Sequence, residues 1–333
     1  MARPGPSYVA CVIDAPRFDA RSTTDEVLDG RDLSGFSAIV TGASAGLGVE
    51  TVRALAAHGA TVIAAVRDVD KARVALWSAG IDDRLDVTID EVDLTSLASV
   101  RAFTDRILAR TERLDLLVAN AGVMSCPEGR TVDGFEVQFG TNHLGHFVLV
   151  NRLVPLLLAG APSRVVCLSS SGHRLADVDL ADPNFDRQPY QTWLAYGRSK
   201  TANVLFAVEL DRRLRAEGVR ACALHPGGID TELFRHLDAD ALAFVAARRE
   251  ESGIPAKTVA QGAATTIWGG VVADADLIGG AYLEDCGVAP VLGDDSPPDR
   301  PDGVRSYALD PDNAKRLWER SEELVGERFL PTG

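Results

Sequence analysis

The chain has little that would suit an oxidising compartment or a membrane. Its five cysteines, Cys11, Cys126, Cys167, Cys222 and Cys286, form no CxxC pair. That spacing excludes a disulfide framework and a zinc site. Cys167 and Cys222 fall inside apolar runs and read as buried thiols. No stretch reaches the roughly 18 apolar residues of a membrane span, and no charged region followed by an apolar run opens the chain. A cytoplasmic protein is expected. Positive charge is also short: Lys and Arg number 34 against 48 Asp and Glu, a net charge of −14. This argues against nucleic acid or an anionic membrane as partner. It does not argue against a phosphorylated cofactor, for which one local basic group suffices. The sequence has neither an internal repeat nor a second core, so its 333 residues read as one large domain.

What is present is alternation. Apolar runs at 37–40, 61–66, 86–92, 114–118, 164–168 and 219–224 read as strands, with 280–283 as a last short one. Between them lie segments with a helical apolar period, such as Leu97, Val100, Phe103 and Ile107 after a Thr95 or Ser96 cap. Strands separated by helices imply a parallel, doubly wound α/β sheet that binds ligands across the carboxyl ends of its strands. The expected fold is thus a single Rossmann-type domain with a mostly parallel seven-stranded sheet. Segment 135–158 reads as one long helix, 195–217 as a second, 231–251 as a third and 259–273 as a fourth. Residues 294–303 read as an exposed loop and 311–325 as a terminal helix. Residues 1–36 read as an arm packed on the domain or on a partner, or, for its first twenty residues, as a disordered tail; a short helix is expected near Thr23–Leu28. A substrate loop is expected at about 232–255 and a C-terminal extension at 286–333.

Two stretches carry chemistry. The first strand runs into Thr41-Gly42-Ala43-Ser44-Ala45-Gly46-Leu47-Gly48 and then into a helix. Gly42 permits the tight turn, Gly46 lets backbone approach a pyrophosphate, and Gly48 allows close helix–strand packing. The helix N-terminus supplies free N–H groups and the positive end of a dipole. The second stretch is Tyr196-Gly197-Arg198-Ser199-Lys200. On a helix, Tyr196 and Lys200 share one face. A phenol ionises near pH 10, and a fixed positive charge lowers that value. The pair then suits proton transfer at a carbonyl or alcohol oxygen.

The order and spacing of Thr41-Gly42-x-x-x-Gly46-x-Gly48, Asn120-Ala121-Gly122, Asn142, the Ser169–Ser171 run, Tyr196-x-x-x-Lys200 and Pro226-Gly227 resemble the short-chain dehydrogenase/reductase family over about residues 34–285. Asn142-His143-Leu144-Gly145-His146-Phe147 and Tyr282-Leu283-Glu284-Asp285-Cys286 resemble its retinol-dehydrogenase-like branch, including bacterial relatives of the WW-domain-containing oxidoreductase. The resemblance implies an NAD(P)(H)-dependent oxidoreductase that interconverts a carbonyl and an alcohol. Tyr196 is implied as the general acid–base, with Lys200 lowering its pKa and bonding the nicotinamide ribose. Ser170 is implied to polarise the carbonyl, and Asn142 to hold a water leading to Lys200. Ser169 and Ser171 stay open for the serine's role, because the three stand in a row.

The same resemblance assigns Gly42, Ser44, Gly46, Leu47 and Gly48 to the pyrophosphate and ribose, Asp93 and Leu94 to the adenine, and Asn120, Ala121 and Gly122 to the adenosine side. Pro226, Gly227, Ile229 and Thr231 are implied near the carboxamide and phosphate, with Tyr196 and Lys200 also touching the cofactor. Two departures stand out: Ala45 occupies a position that is basic in many NADP-dependent members, and Ala119 replaces the first of two asparagines.

The second strand ends at Val66-Arg67-Asp68. A carboxylate at its last position would hold the ribose 2′-hydroxyl. With Val66 there and Arg67 next, NADP(H) is preferred and NAD(H) stays open. The substrate is expected to be a small, largely apolar alcohol, ketone or aldehyde. A homodimer or homotetramer is expected, paired through the apolar faces of 135–158 and 195–217 that carry Val148, Leu149, Leu205, Phe206 and Leu210. No metal is expected: His143 and His146, three apart, have no third ligand nearby. Trp193 is a candidate for the cleft wall. Two other readings compete: a dinucleotide sensor without catalysis, which would be expected to lack one of Asn142, Ser170, Tyr196 and Lys200, and a nucleotide-sugar epimerase or dehydratase, whose G-x-x-G-x-x-G spacing is absent.

Overall fold

A computed structural model describes residues 17–229, 255–293, 296 and 302–329. Its centre is a sheet of eight strands: β1 Ser37–Thr41, β2 Thr61–Val66, β3 Val87–Glu91, β4 Leu116–Ala119, β5 Ser163–Leu168, β6 Val219–Leu224, β7 Tyr282–Glu284 and β8 Gly287–Val288. Their spatial order is β3-β2-β1-β4-β5-β6-β7-β8. The first seven run parallel, as expected from the alternation. The eighth adds to the expected count. It turns back antiparallel through Asp285 and Cys286, both at positive φ (52° and 57°), which is the backbone of a two-residue hairpin. A separate parallel pair, β9 Val291–Leu292 and β10 Val304–Arg305, flanks the stretch 294–303 expected to be loop. The chain moves outward from β1 to β3 and then crosses back to β4. The crevice at that reversal, at the strands' carboxyl ends, is where ligands bind in open α/β sheets.

Both faces of the central strands are covered, which is why these strands read as unbroken apolar runs. Side chains alternate between the two layers: Ile39, Leu117 and Val165 enter one core, Val40, Val118 and Val166 the other. The helices α1 Thr24–Leu28, α2 Gly46–Ala57 and α3 Val69–Ser78 lie with the second core, and α4 Leu97–Arg110 with the first. Ser96 caps α4 by accepting from Ser99 N.

Segment 135–158 is not one helix. It divides into α5 Val137–Phe139, a π-turn Gly140–Leu144, α6 Gly145–Arg152 and α7 Val154–Ala159. Pro155, at the start of α7, has no N–H to return to the Asn151 carbonyl, so the ladder lapses at Leu153. The π-turn carries Asn142, and π-bulges often mark functional sites. Helix α8, Thr192–Leu214, is continuous and carries Tyr196 and Lys200.

The apolar faces expected to pair between subunits are closed within the chain. The C-terminal helix Pro311–Val325 lies along α8, and Val148, Leu149, Leu205 and Leu210 are wholly buried. Trp318 meets Phe147 edge-on at 5.1 Å and Phe206 at 5.9 Å, and Phe329 meets Phe147 at 5.6 Å. Periodicity shows that a face is apolar, not which surface covers it.

Residues 17–36 also pack on this chain. Thr23 caps α1 in a capping box with Glu26, and Val27 and Leu28 are buried. Thr24 hydrogen-bonds Glu50, and Asp25 pairs with Arg53 on α2. The rest of the arm and the expected helix 231–251 lie outside the described residues. Among the described residues no helix is long and apolar enough to cross a membrane.

Candidate active site

At the β1–α2 turn, Gly42 and Gly46 take φ of +69° and +50°, where a side chain is strained. A Cβ on Gly48 would stand 2.4 Å from the Gly42 carbonyl oxygen. Helix α2 then starts without a side-chain cap at Ala45 and without an acid in its first turn. A helix start that no side chain of Ala45 caps is suited to a phosphate. The residues present therefore fit the dinucleotide that the motifs imply. Half-buried Ser44 sits in the turn, and Leu47 packs towards Ile229 across Gly262.

Thr41 is a hub that the glycine pattern does not reveal. Its hydroxyl accepts from the N–H of Asn120 (2.9 Å) and of Ala121 (3.0 Å) and lies 2.9 Å from His146 Nε2. Asn120 Nδ2 donates to the Thr41 carbonyl at 2.7 Å, so this side chain straps the glycine turn to β4. His146 closes the network. Burial pushes its pKa down to about 4, and its Nδ1–H donates to the Asn142 carbonyl at 3.0 Å. His143 turns the other way, onto Ser321 Oγ at 2.8 Å. Both histidines are core residues, and no metal-binding cluster occurs among the described residues.

Arg67 is exposed at the end of β2. Its neighbour Asp68 is committed elsewhere, capping α3 by accepting from Lys71 N at 2.9 Å. Asp93 accepts from Thr95 N and Oγ1 at 2.9 and 2.8 Å, and Leu94 presents its carbonyl to Gly145. Pro226 and Gly227 follow β6. The aliphatic stem of Lys257 lies on Gly227, and its ammonium pairs with Asp285 at 2.5 Å. Thr231 lies outside the described residues. Cys286 is buried against Thr265.

The four residues assigned to catalysis converge beyond the ends of β4 and β5. Asn142 is clamped: Oδ1 accepts from Val123 N at 2.8 Å, and Nδ2 donates to the Val123 carbonyl (2.9 Å) and Ser199 Oγ (3.0 Å). Gly122 lies against both Asn142 and Lys200, since a Cβ there would stand 3.2 Å from Asn142 Oδ1 and 3.4 Å from Lys200 Nζ. Lys200 Nζ donates to the Leu168 carbonyl at 3.1 Å and lies 5.8 Å from the centre of the Tyr196 ring. Trp193 meets that ring edge-on at 6.2 Å.

The serine run separates in three dimensions. Ser169 Oγ donates to the Lys200 carbonyl at 2.8 Å, and Ser171 opens a 3₁₀ turn. Ser170 is the one whose side chain acts on the Tyr196 phenol, pulling its pKa down. Its Oγ accepts from Gly172 N at 3.0 Å, which leaves its proton free to donate.

Electrostatics in the bare site differ from the expectation. Burial raises the Tyr196 phenol to about 12, with Ser170 pulling the other way, and lowers the Lys200 ammonium to about 8. Desolvation outweighs the ammonium because both groups are almost wholly removed from water. Gly172 was not singled out by sequence, yet a Cβ there would stand 2.6 Å from Tyr196 Cε1.

A family model described as short chain dehydrogenase matches residues 37–242. A Streptomyces lividans protein described as a probable oxidoreductase is 42% identical over 305 residues, covering 88% of this chain and 99% of its own length. Human retinol dehydrogenase 13 is 40% identical over 302 residues, covering 88% and 86%. The crystal structure of a Burkholderia cenocepacia short chain dehydrogenase in complex with NADP superposes with a TM-score of 0.60 at 26% identity, over 77% of this chain and 99% of that one.

Proposed function

The chain belongs to the short-chain dehydrogenase family, and on that premise we propose that it is an NADP(H)-dependent oxidoreductase interconverting a carbonyl and an alcohol. The observation that carries the reading is the convergence of the Ser170 hydroxyl, the Tyr196 phenol and the Lys200 ammonium opposite the uncapped start of α2. We further propose that residues 37–333 form one catalytic unit. Asn142, Ser170, Tyr196 and Lys200, of which a silent sensor would be expected to lack one, are all present.

The bound nicotinamide would supply or accept the hydride. Gly42, Gly46 and Gly48 admit its pyrophosphate to the α2 N–H groups. Tyr196 gives its proton to the substrate oxygen in reduction and takes it back in oxidation. Ser170 donates a hydrogen bond to that same oxygen with the proton its Gly172 contact leaves free. Lys200 keeps two ammonium protons beyond the one on Leu168, for the ribose and for water. The Asn142 carbonyl, already holding His146, retains one lone pair for such a water. The substrate class is a small, largely apolar alcohol, ketone or aldehyde, a reading supported by the retinol named in a 40% identical relative. A panel of ketones and aldehydes followed by NADPH absorbance tests the activity; no turnover across chain lengths and ring sizes would overturn it.

NADP(H) is favoured over NAD(H) because Asp68 is turned onto the α3 cap while Arg67 is exposed at the ribose end. A guanidinium binds a phosphate through paired, charge-assisted bonds. Arg67→Ala should raise KM for NADPH by roughly 10–150-fold, the equivalent of a lost charged hydrogen bond, with little change for NADH. The measurement is kcat/KM with both cofactors on one substrate; equal values in the wild type would refute the preference.

Gly172→Ala should force the Tyr196 ring aside. Overpacking of this kind costs about 1–3 kcal/mol, so kcat is expected to fall about tenfold while NADPH binding holds. An unchanged kcat would show that the ring has room to move.

A further inference from the structure

The mechanism does not use His173, yet this imidazole is wholly buried between the serine turn and the C-terminal segment. Its hydrogen bonds define one tautomer. The Arg305 backbone N–H donates to Nε2 at 3.2 Å, so Nε2 carries no proton. The proton therefore sits on Nδ1, which donates to the Ser170 carbonyl at 2.7 Å. Tyr282 Oη lies 3.2 Å from the same nitrogen, and the two rings meet at 4.8 Å, tilted by 54°. With the proton on Nδ1, the Tyr282 oxygen offers it a lone pair as a second acceptor. The His173 carbonyl in turn accepts from Tyr307 Oη (2.8 Å) and Thr201 Oγ1 (3.0 Å).

The imidazole thus joins the Ser170 backbone to β10 at Arg305, and the carbonyl of the same residue ties in Thr201 of α8 and Tyr307. Burial holds its pKa down near 4, so it stays neutral at working pH and neither gains nor loses a proton. We propose that His173 is a positioning residue that sets the Ser170 turn against Tyr196 and anchors it to the C-terminal segment at Arg305. The C-terminal segment is then part of the active site by way of one backbone N–H. This inference rests on the carbonyl–alcohol reading above.

Arg305 permits a test that leaves His173 intact. An ester in place of the Val304–Arg305 amide, made with the α-hydroxy analogue of arginine at 305, deletes the N–H, adds no atom and keeps the side-chain bonds to the carbonyls of Gly293 and Ser296. We expect kcat of the ester variant to fall about threefold to tenfold below wild type, the size of one lost hydrogen bond, with NADPH affinity unchanged and Tm little moved. His173→Phe keeps the ring contact with Tyr282 but loses both ring bonds, and kcat is expected to fall at least tenfold. His173→Asn, with an amide N–H for the Ser170 carbonyl, should recover most of it. The ¹⁵N spectrum of the wild-type imidazole should show protonated Nδ1 and bare Nε2 whatever the activity. Equal kcat for the ester variant and the wild type, a kcat loss that tracks Tm, or the opposite tautomer overturns the proposal. A wild type that reduces no carbonyl sinks the functional reading first and this inference with it; an active wild type with unaffected variants sinks this inference alone.

Discussion

Replacing Tyr196 by Phe is expected to lower turnover by about 10²–10⁴-fold, the loss typical of a removed general acid–base, while NADPH binding stays within about twofold. Only the hydroxyl is deleted. The ring keeps its contacts with Trp193 and the space against Gly172. Steady-state kcat and NADPH fluorescence titration separate the two effects, and a variant keeping more than half of the wild-type kcat would remove Tyr196 from the mechanism. The pKa direction adds a pH signature. Burial raises the phenol to about 12, so the protonated form that reduction needs is present through the neutral range. Reduction should therefore be nearly flat from pH 6 to 7 and fall above that as the Lys200 ammonium, lowered to about 8 by burial, loses its proton. Oxidation needs the phenolate, so its rate should climb as pH rises towards that value. A reduction rate that collapses near neutrality would mean a different acid.

Replacing Trp318 by Ala should destabilise the fold by about 3–5 kcal/mol, the range for a large aromatic lost from a packed core. The indole is almost wholly buried, and its Nε1–H donates to Glu322 Oε1 at 3.1 Å. Phe147 and Phe206 hold its faces and edge, and the Arg213 guanidinium lies 4.2 Å from its ring. Its removal leaves a cavity lined by side chains from α6, α8 and the C-terminal helix, elements too rigid to close it. Urea unfolding should show a lower midpoint at unchanged slope. A loss below about 1 kcal/mol would mean that the C-terminal helix is a loose cover rather than part of the core.

The β/α order, the glycine turn, the tyrosine–lysine helix and the terminal helix were all legible in the amino-acid sequence, as was membership of the family. Each is carried by local spacing: a period of two or 3.6, a positive-φ glycine beside a strand, or four residues between two functional groups. The break at Leu153 was readable in part from Pro155, but the π-turn that aims Asn142 was not. It depends on Gly145 meeting the Leu94 carbonyl some fifty residues earlier in the chain.

The sequence by itself determined what chemistry is available: a cradle for a dinucleotide, a phenol, an ammonium and a run of three serines. Only the tertiary structure decided which serine meets Tyr196 and which way burial moves the phenol's pKa. It also decided that Asp68 serves a helix cap and that His173 ties the serine turn to Arg305. The apolar faces of α6 and α8, legible as apolar but not as partnered, were claimed by Trp318 of the same chain. The physical reason is common to all of these. Periodicity reports how much apolar surface an element must bury, whereas the identity of the burying partner, and the water excluded from each titrating group, arise from contacts between residues far apart in sequence.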